Sequence, residues 1–214
     1  LENGYTVGRD AGRVIVSTAA AVLEGDIDSA VFQSERQQRK RDEGLDSYKQ
    51  AQTAAARAGQ LIVGNMTPVF DTKAGQLRDN PQAMVDKVQI GKVAAIADGQ
   101  LLSEALPAAR RGTLQLDADW LNGLELGALK IYANDSLSVD ADLRVADGGD
   151  IGLHAADVAI KANLSARGGS ISAGNIISRY QANAGGVWLD AVLTPGATGP
   201  AGVRVAPGVR LDAR

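Results

Sequence analysis

The sequence predicts a mainly β chain: a right-handed parallel β-helix, or solenoid, with a helical insertion near its N-terminus. Three observations carry this. Short apolar pairs spaced i, i+2 recur through the second half, the mark of strands with one buried face. Between the pairs stand Asn, Asp and Gly, the residues of turns. Three separate strand phases also repeat at nearly one period. Ile131 to Ile151 and Ile151 to Ile171 are each 20 residues, while Leu137 to Val158 and Leu143 to Leu164 are each 21. A sandwich has short strands too, but nothing in it keeps three phases in step. Coils wound about a common axis do, because each strand stacks on its counterpart one coil earlier, about 4.8 Å away.

Residues 1–27 read as the first β-helix strands, with RVIV at 13–16 following Gly12. Residues 28–58 read as the helical insertion, since Ser, Gln, Glu, Arg and Ala suit a helix and Gly44 breaks or kinks it. A helix cannot lie inside a coil, so this segment is expected to loop out from the stem. Its six basic and five acidic side chains read as a solvated face with local ion pairs.

Residues 59–111 read as irregular coils and loops. LIV at 61–63 is a strand, and NMTPVFDTKAGQLRDNPQAMVDK at 65–87 is loop-like. VQIGKVAAIADGQLL suits two coil strands around Asp98-Gly99, and LLSEALPAAR a short helix ended by Pro107. Residues 112–214 read as regular coils. Their pairs are Leu114/Leu116, Leu124/Leu126, Leu129/Ile131, Leu137/Val139, Leu143/Val145, Ile151/Leu153 and Val158/Ile160, then Val187/Leu189, Val203/Val205 and Val209/Leu211. TPGATGPAG at 194–202 must leave the sheet, because proline cannot donate to a ladder. The ladders Ile131/Ile151/Ile171 and Leu143/Leu164 are the expected interior.

Composition narrows the function classes. Apolar residues make up 45% of the 214 but aromatics only 4%, so the core is built from Val, Ile, Leu and Ala. A net charge of −3 gives no basic footprint for nucleic acid. With no cysteine there is neither a disulfide framework nor a thiolate metal site. No window approaches the roughly 18 apolar residues of a membrane span, so no membrane insertion is expected. No basic region followed by an apolar run opens the chain, and its first residues read as an arbitrary cut in a longer protein.

Side chains with chemistry are few. His154, the only histidine, follows Leu153 in a strand, where alternation turns it to solvent. A triad would have to use it, and no GxSxG elbow supports one. Asp140, Asp142, Asp147 and Asp150, with Arg144 or Lys161 nearby, are the candidates for a carboxylate cluster of the kind glycan-cleaving enzymes use. The competing reading makes them turn residues that cap the backbone at coil corners. No phosphate loop is written; DGGDIG at 147–152 matches one in its glycines alone. Trp120, Tyr132, Tyr180 and Trp188 are the aromatics of the strand region, and of these Trp188 and Tyr180 are the candidate glycan contacts. No catalytic, cofactor-binding or metal-ligating residue is assigned.

GGDIGLHAADVAIKANLSARGGSISAG, extended back through GTLQLDADWLNGLELGALKIYANDSLSVDADLRVADGG to Gly112, resembles the coils of the large exoproteins of the filamentous haemagglutinin family. The resemblance covers about half the chain and rests on repeat style. It implies a structural stem or adhesin segment of a secreted protein at the bacterial cell surface, without catalysis. It further implies export by two-partner secretion through a dedicated outer-membrane transporter, and a host-cell surface glycan or protein as possible partner. The family's asparagine-rich secretion signature is missing, consistent with an internal segment, and the insertion at 28–58 departs from a bare stem. The alternative reading is a β-helix polysaccharide-degrading enzyme or a glycan-binding module.

Overall fold

The chain is mainly β, and most of its strands pair in parallel. The computed structural model describes residues 6–38, 55–64, 69–73, 75–78, 85–96, 104–174, 176–183, 186–193 and 202–214.

The i, i+2 alternation lays down three parallel ladders. The first joins β1 (Arg13–Val16), β2 (Gln60–Val63), the front of β7 (Ala128–Val139), β9 (Asp150–His154) and β12 (Ser170–Gly174). The second joins β6 (Leu114–Asp117), β5 (Val85–Gly91), the back of β7, β10 (Asp157–Ile160) and β15 (Gly202–Val205). The third is short: β8 (Leu143–Arg144), β11 (Leu164–Ser165) and β16 (Leu211–Asp212). Alternate residues of all three meet in one core, where Leu61, Leu129 and Ile151, Val88, Leu137 and Val158, and Leu143 and Leu164 are fully buried. Each such side chain contributes about 1.5–3 kcal/mol of burial.

The register departs from the expected ladder at one step. Ile151 pairs with Ile171 as the 20-residue spacing requires, but on its other side it meets Leu129, and Ile131 meets Leu153. A two-residue slip keeps every apolar side chain on the same face, so the apolar pattern alone could not detect it. Leu137 with Val158 and Leu143 with Leu164 pair as spaced.

Strand order also departs from chain order. β6, expected to open the regular coils, lies on the outer side of β5, at the level of β1. The chain thus steps back one level before β7 begins the regular succession. Leu124/Leu126, expected as a strand pair, lies in a turn that follows a helix at Ala118–Gly123, here α2, whose N-cap Asp117 accepts the Trp120 N–H at 2.8 Å. Of the helix expected at 28–58, only Glu35–Gln38 (α1) is helical among the described residues. Residues 28–34 and 55–58 are irregular and pack on the stem through buried Ser29 and Ala56. Residues 39–54 lie outside the described residues, as do Asp98, Gly99 and 194–201. Pro107 precedes a 3₁₀ turn at Ala108–Arg110 instead of ending a helix.

Two antiparallel hairpins interrupt the parallel pattern. β3 (Val69–Asp71) with β4 (Gln76–Arg78) replaces the expected loop. β13 (Ile176–Asn183) with β14 (Gly186–Leu193) takes up Val187 and Leu189, which were expected to continue the coils. Both leave the chain between a strand of the first ladder and one of the second, between β2 and β5 and between β12 and β15. This corner accepts insertions because the flanking strands are fixed by their neighbours, and lengthening a surface loop costs little.

Near the β1 end, flanking segments pack on the core, while Val14 of β1, in register with buried Leu61, is 39% exposed. Ala21, Leu23 and Ile27 pack against the core, and the Trp120 indole donates to the Gly25 carbonyl at 2.8 Å. Arg110, only 8% exposed, donates to the Ala94 carbonyl at 2.6 Å and pairs with Glu24 at 3.3 Å. The Ser29 hydroxyl donates to the Leu124 carbonyl.

Candidate functional site

The outer face of the third ladder carries an open groove of about 580 Å³. Its floor follows from the two-residue period. Leu143 and Leu164 point inward, so Arg144 and Ser165 point outward in register, with Asp212 next in line. α2 closes one side through Asn122. That amide accepts the Arg144 N–H at 2.8 Å and donates to the Asp142 carbonyl at 2.9 Å, standing in for the strand that β8 lacks there. Asp142 in turn accepts the Asn163 N–H at 2.9 Å and its side-chain amide at 3.1 Å, and Asn163 accepts the Arg210 N–H at 2.9 Å. The groove thus gathers three of the sequence candidates, Asp142, Arg144 and Asp147, together with Asn163, Ser165 and Arg167.

The remaining candidates are elsewhere. Asp140 sits on the edge between the second and third ladders, where Lys161 (2.8 Å), Gln89 (2.8 Å) and Ser138 (3.1 Å) donate to it. Asp150 begins β9 and accepts the Ser170 hydroxyl at 2.6 Å. Asp140 and Asp150 therefore do not converge with one basic residue, as a catalytic cluster would require.

The electrostatics run the same way. The Asn163 backbone N–H, then its side-chain amide, holds the Asp142 carboxyl below the usual carboxylate range. Burial pushes Asp140 up, but the bonds from Lys161, Gln89 and Ser138 outweigh it and the net shift is down. A general acid at neutral pH needs the opposite shift. Asp142 therefore stays ionised and accepts hydrogen bonds, so the groove is equipped to hold polar or charged groups.

His154 does turn outward from the core, but it is not free in solvent. Its ring stacks on Tyr132 of the neighbouring strand with centroids 5.3 Å apart, and its Nδ1 is buried without a hydrogen-bond partner. Burial, then the Lys130 charge, pulls its pKa below 6.5. Trp120 and Tyr132 are thus packing residues. Tyr180 stands opposite Leu189 and Trp188 opposite Gln181 in the β13–β14 ribbon. Among the described residues no group of three or more potential metal ligands occurs, and no helix is long and apolar enough to cross a membrane.

The sequence reading missed Asn122 and Asn163 as groove-forming residues. The signal was present for Asn163, which stands just before the short apolar strand β11, where an amide can satisfy a corner's backbone groups, while Asn122 lies in α2 outside the repeat. Comparison with family models, curated proteins and solved structures finds no match for this chain.

Proposed function

We propose that the chain is a right-handed parallel β-helix and serves as a structural stem segment of a secreted bacterial surface exoprotein. The observation that carries this reading is the use of its polar side chains. At the corners Asp140, Asp142, Asp150, Asn122 and Asn163 bond from one coil level to the next, and they are spent on holding the stack together. The three ladders with a shared aliphatic core support the solenoid. Secretion through a two-partner outer-membrane transporter and placement at the bacterial surface rest on the repeat style of residues 112–174. Folding of this kind suits export, since each coil templates the next without disulfides or an energy source.

A glycan-binding role is the second reading, favoured by the open groove with Arg144, Arg167, Asn163 and Ser165. One pair of assays separates the readings. The purified chain, with far-UV circular dichroism as folding control, is incubated with neutral and uronate polysaccharides while new reducing ends are measured, and is applied to a glycan array and to host cells. The stem reading expects a β-rich spectrum, no new reducing ends and no array signal. Product release lost on Asp142→Asn would overturn it in favour of an enzyme. Array binding lost on Arg144→Ala and Arg167→Ala would make the groove a glycan site.

A further inference from the structure

Asn122 and Asn163 do the same work at the corners of the third ladder, yet they differ in the residue that follows. Leu164 follows Asn163, whereas Asn122 is the one asparagine before a glycine among the described residues. That glycine answers no structural demand: a Cβ on Gly123 would meet nothing within 4 Å, and its φ is not in the left-handed region. A glycine after asparagine leaves the next peptide nitrogen unshielded by any side chain, so the backbone can approach closely. In that arrangement an asparagine amide is open to attack by its own chain. Gly123 is exposed and Asn122 half-buried, so water reaches the pair.

We propose that Asn122–Gly123 is a self-modifying site gated by the docking of α2 on β8: intact while docked, and converted to aspartate or isoaspartate when α2 lifts away. In the reaction the Gly123 nitrogen, giving up its proton, attacks the Asn122 Cγ. A bond forms between them, the Cγ–Nδ2 bond breaks, and ammonia leaves with that proton. Water then opens the resulting five-membered imide at either carbonyl, and nothing is oxidised or reduced. One opening leaves aspartate; the other leaves isoaspartate, with the backbone routed through the side chain and one carbon longer. Docking holds the reaction back, because attack requires Cγ to swing towards the Gly123 nitrogen. While α2 is in place, the Asn122 Oδ1 accepts the Arg144 N–H at 2.8 Å and its Nδ2 donates to the Asp142 carbonyl at 2.9 Å, and the backbone there is helical. The product carboxylate has no proton to donate to the Asp142 carbonyl. The longer isoaspartate backbone no longer matches α2 to β8, so one opening of this wall of the groove becomes permanent. The inference rests on the α2–β8 contact alone and stands whether or not the chain is a stem.

The test incubates the purified chain in native buffer and in urea, at mildly alkaline pH, and follows loss of the Asn122 amide by peptide mass spectrometry. Asn3, which also precedes a glycine, marks the rate of an unfolded pair in urea. Loss at Asn122 should be at least about tenfold slower in native buffer than in urea, the least that two hydrogen bonds provide together. It should be faster in native buffer for Asp117→Ala, which lacks the cap of α2, and should nearly vanish even in urea for Gly123→Ala. Should Asp117→Ala not fold, the comparison of buffer with urea decides alone. In the isoaspartate fraction separated from aged chain, the Arg144 amide should exchange faster than in fresh chain. Equal rates in buffer and urea overturn the gating. Loss at Asn3 with none at Asn122 in urea, or undiminished loss in Gly123→Ala, overturns the site. Unchanged Arg144 exchange in the isoaspartate fraction overturns the permanent opening.

Discussion

At the scale of single residues, the paired glycines of Asp147-Gly148-Gly149 and Arg167-Gly168-Gly169 meet two different demands. Gly148 and Gly168 sit in the left-handed region at φ 78° and 67°. Gly169 is needed for space, since a Cβ there would lie 1.8 Å from the Gly149 carbonyl oxygen of the neighbouring turn. Gly168→Ala meets no close neighbour and should cost about 1–2 kcal/mol of left-handed strain. Gly169→Ala must push the two turns apart and should cost more, at or above the roughly 1–3 kcal/mol usual for overpacking. Urea midpoints of the two variants check this, and equal losses would argue against the close column. The sequence made the doublets legible as turns, but which glycine serves which demand depends on the coil beside it. His154 supplies a second residue-scale prediction. Its pKa is lower folded than unfolded, so the stability gained by keeping it neutral is complete above about pH 6.5 and is lost as pH falls below that value. His154→Phe keeps the stack on Tyr132 and removes the titration. Its urea midpoint should therefore fall less than the unaltered chain's between pH 7.5 and 5, two values on either side of the ordinary histidine pKa of about 6.5.

At the scale of elements, α2 is where propensity and pattern diverge. Leu124/Leu126 has strand spacing, yet Asp117 caps a helix that buries Leu121 and brings Asn122 alongside β8. Asn122→Ala removes both bonds to β8 and leaves the Arg144 N–H and Asp142 carbonyl without that amide. A loss of about 1–2 kcal/mol is expected, read as a lower denaturation midpoint, with faster amide exchange at Arg144. An unchanged Arg144 amide would mean the side chain is only a surface contact. The other elements divide along the same line. β10, β11 and β12 were legible because each pairs with a strand 20 or 21 residues earlier, so period and alternation agree. β6 was legible as a strand but not in its place, because its partner β5 precedes it and no local pattern encodes a backward step. The β13–β14 hairpin reads the same in sequence as a coil, since antiparallel and parallel strands share the period of two.

At the scale of the molecule, the pairing of strands explains how the chain tolerates its interruptions. Leu143 to Leu164 spans 21 residues and Leu164 to Leu211 spans 47, yet the third ladder runs through all three without a change of face. Registry within a ladder is therefore set by neighbouring strands and not by the length of the connection. The corner carboxylates of the groove were legible as turn residues for the same reason, while the groove itself was not, because Asn122 reaches it from a helix outside the repeat. Stability in such a stack is a sum over neighbouring levels. β7 and β9–β10 have ordered neighbours on both sides, whereas β15 and β16 have one. Amide exchange should be slowest in β7, β9 and β10 and fastest in β15 and β16. β1, also with a single neighbour, should fall between them because the Ala11 N–H holds its approach to the Arg57 carbonyl at 2.9 Å. Uniform protection from β1 to β16 would show one all-or-none unit, and the levels would then stand or fall together.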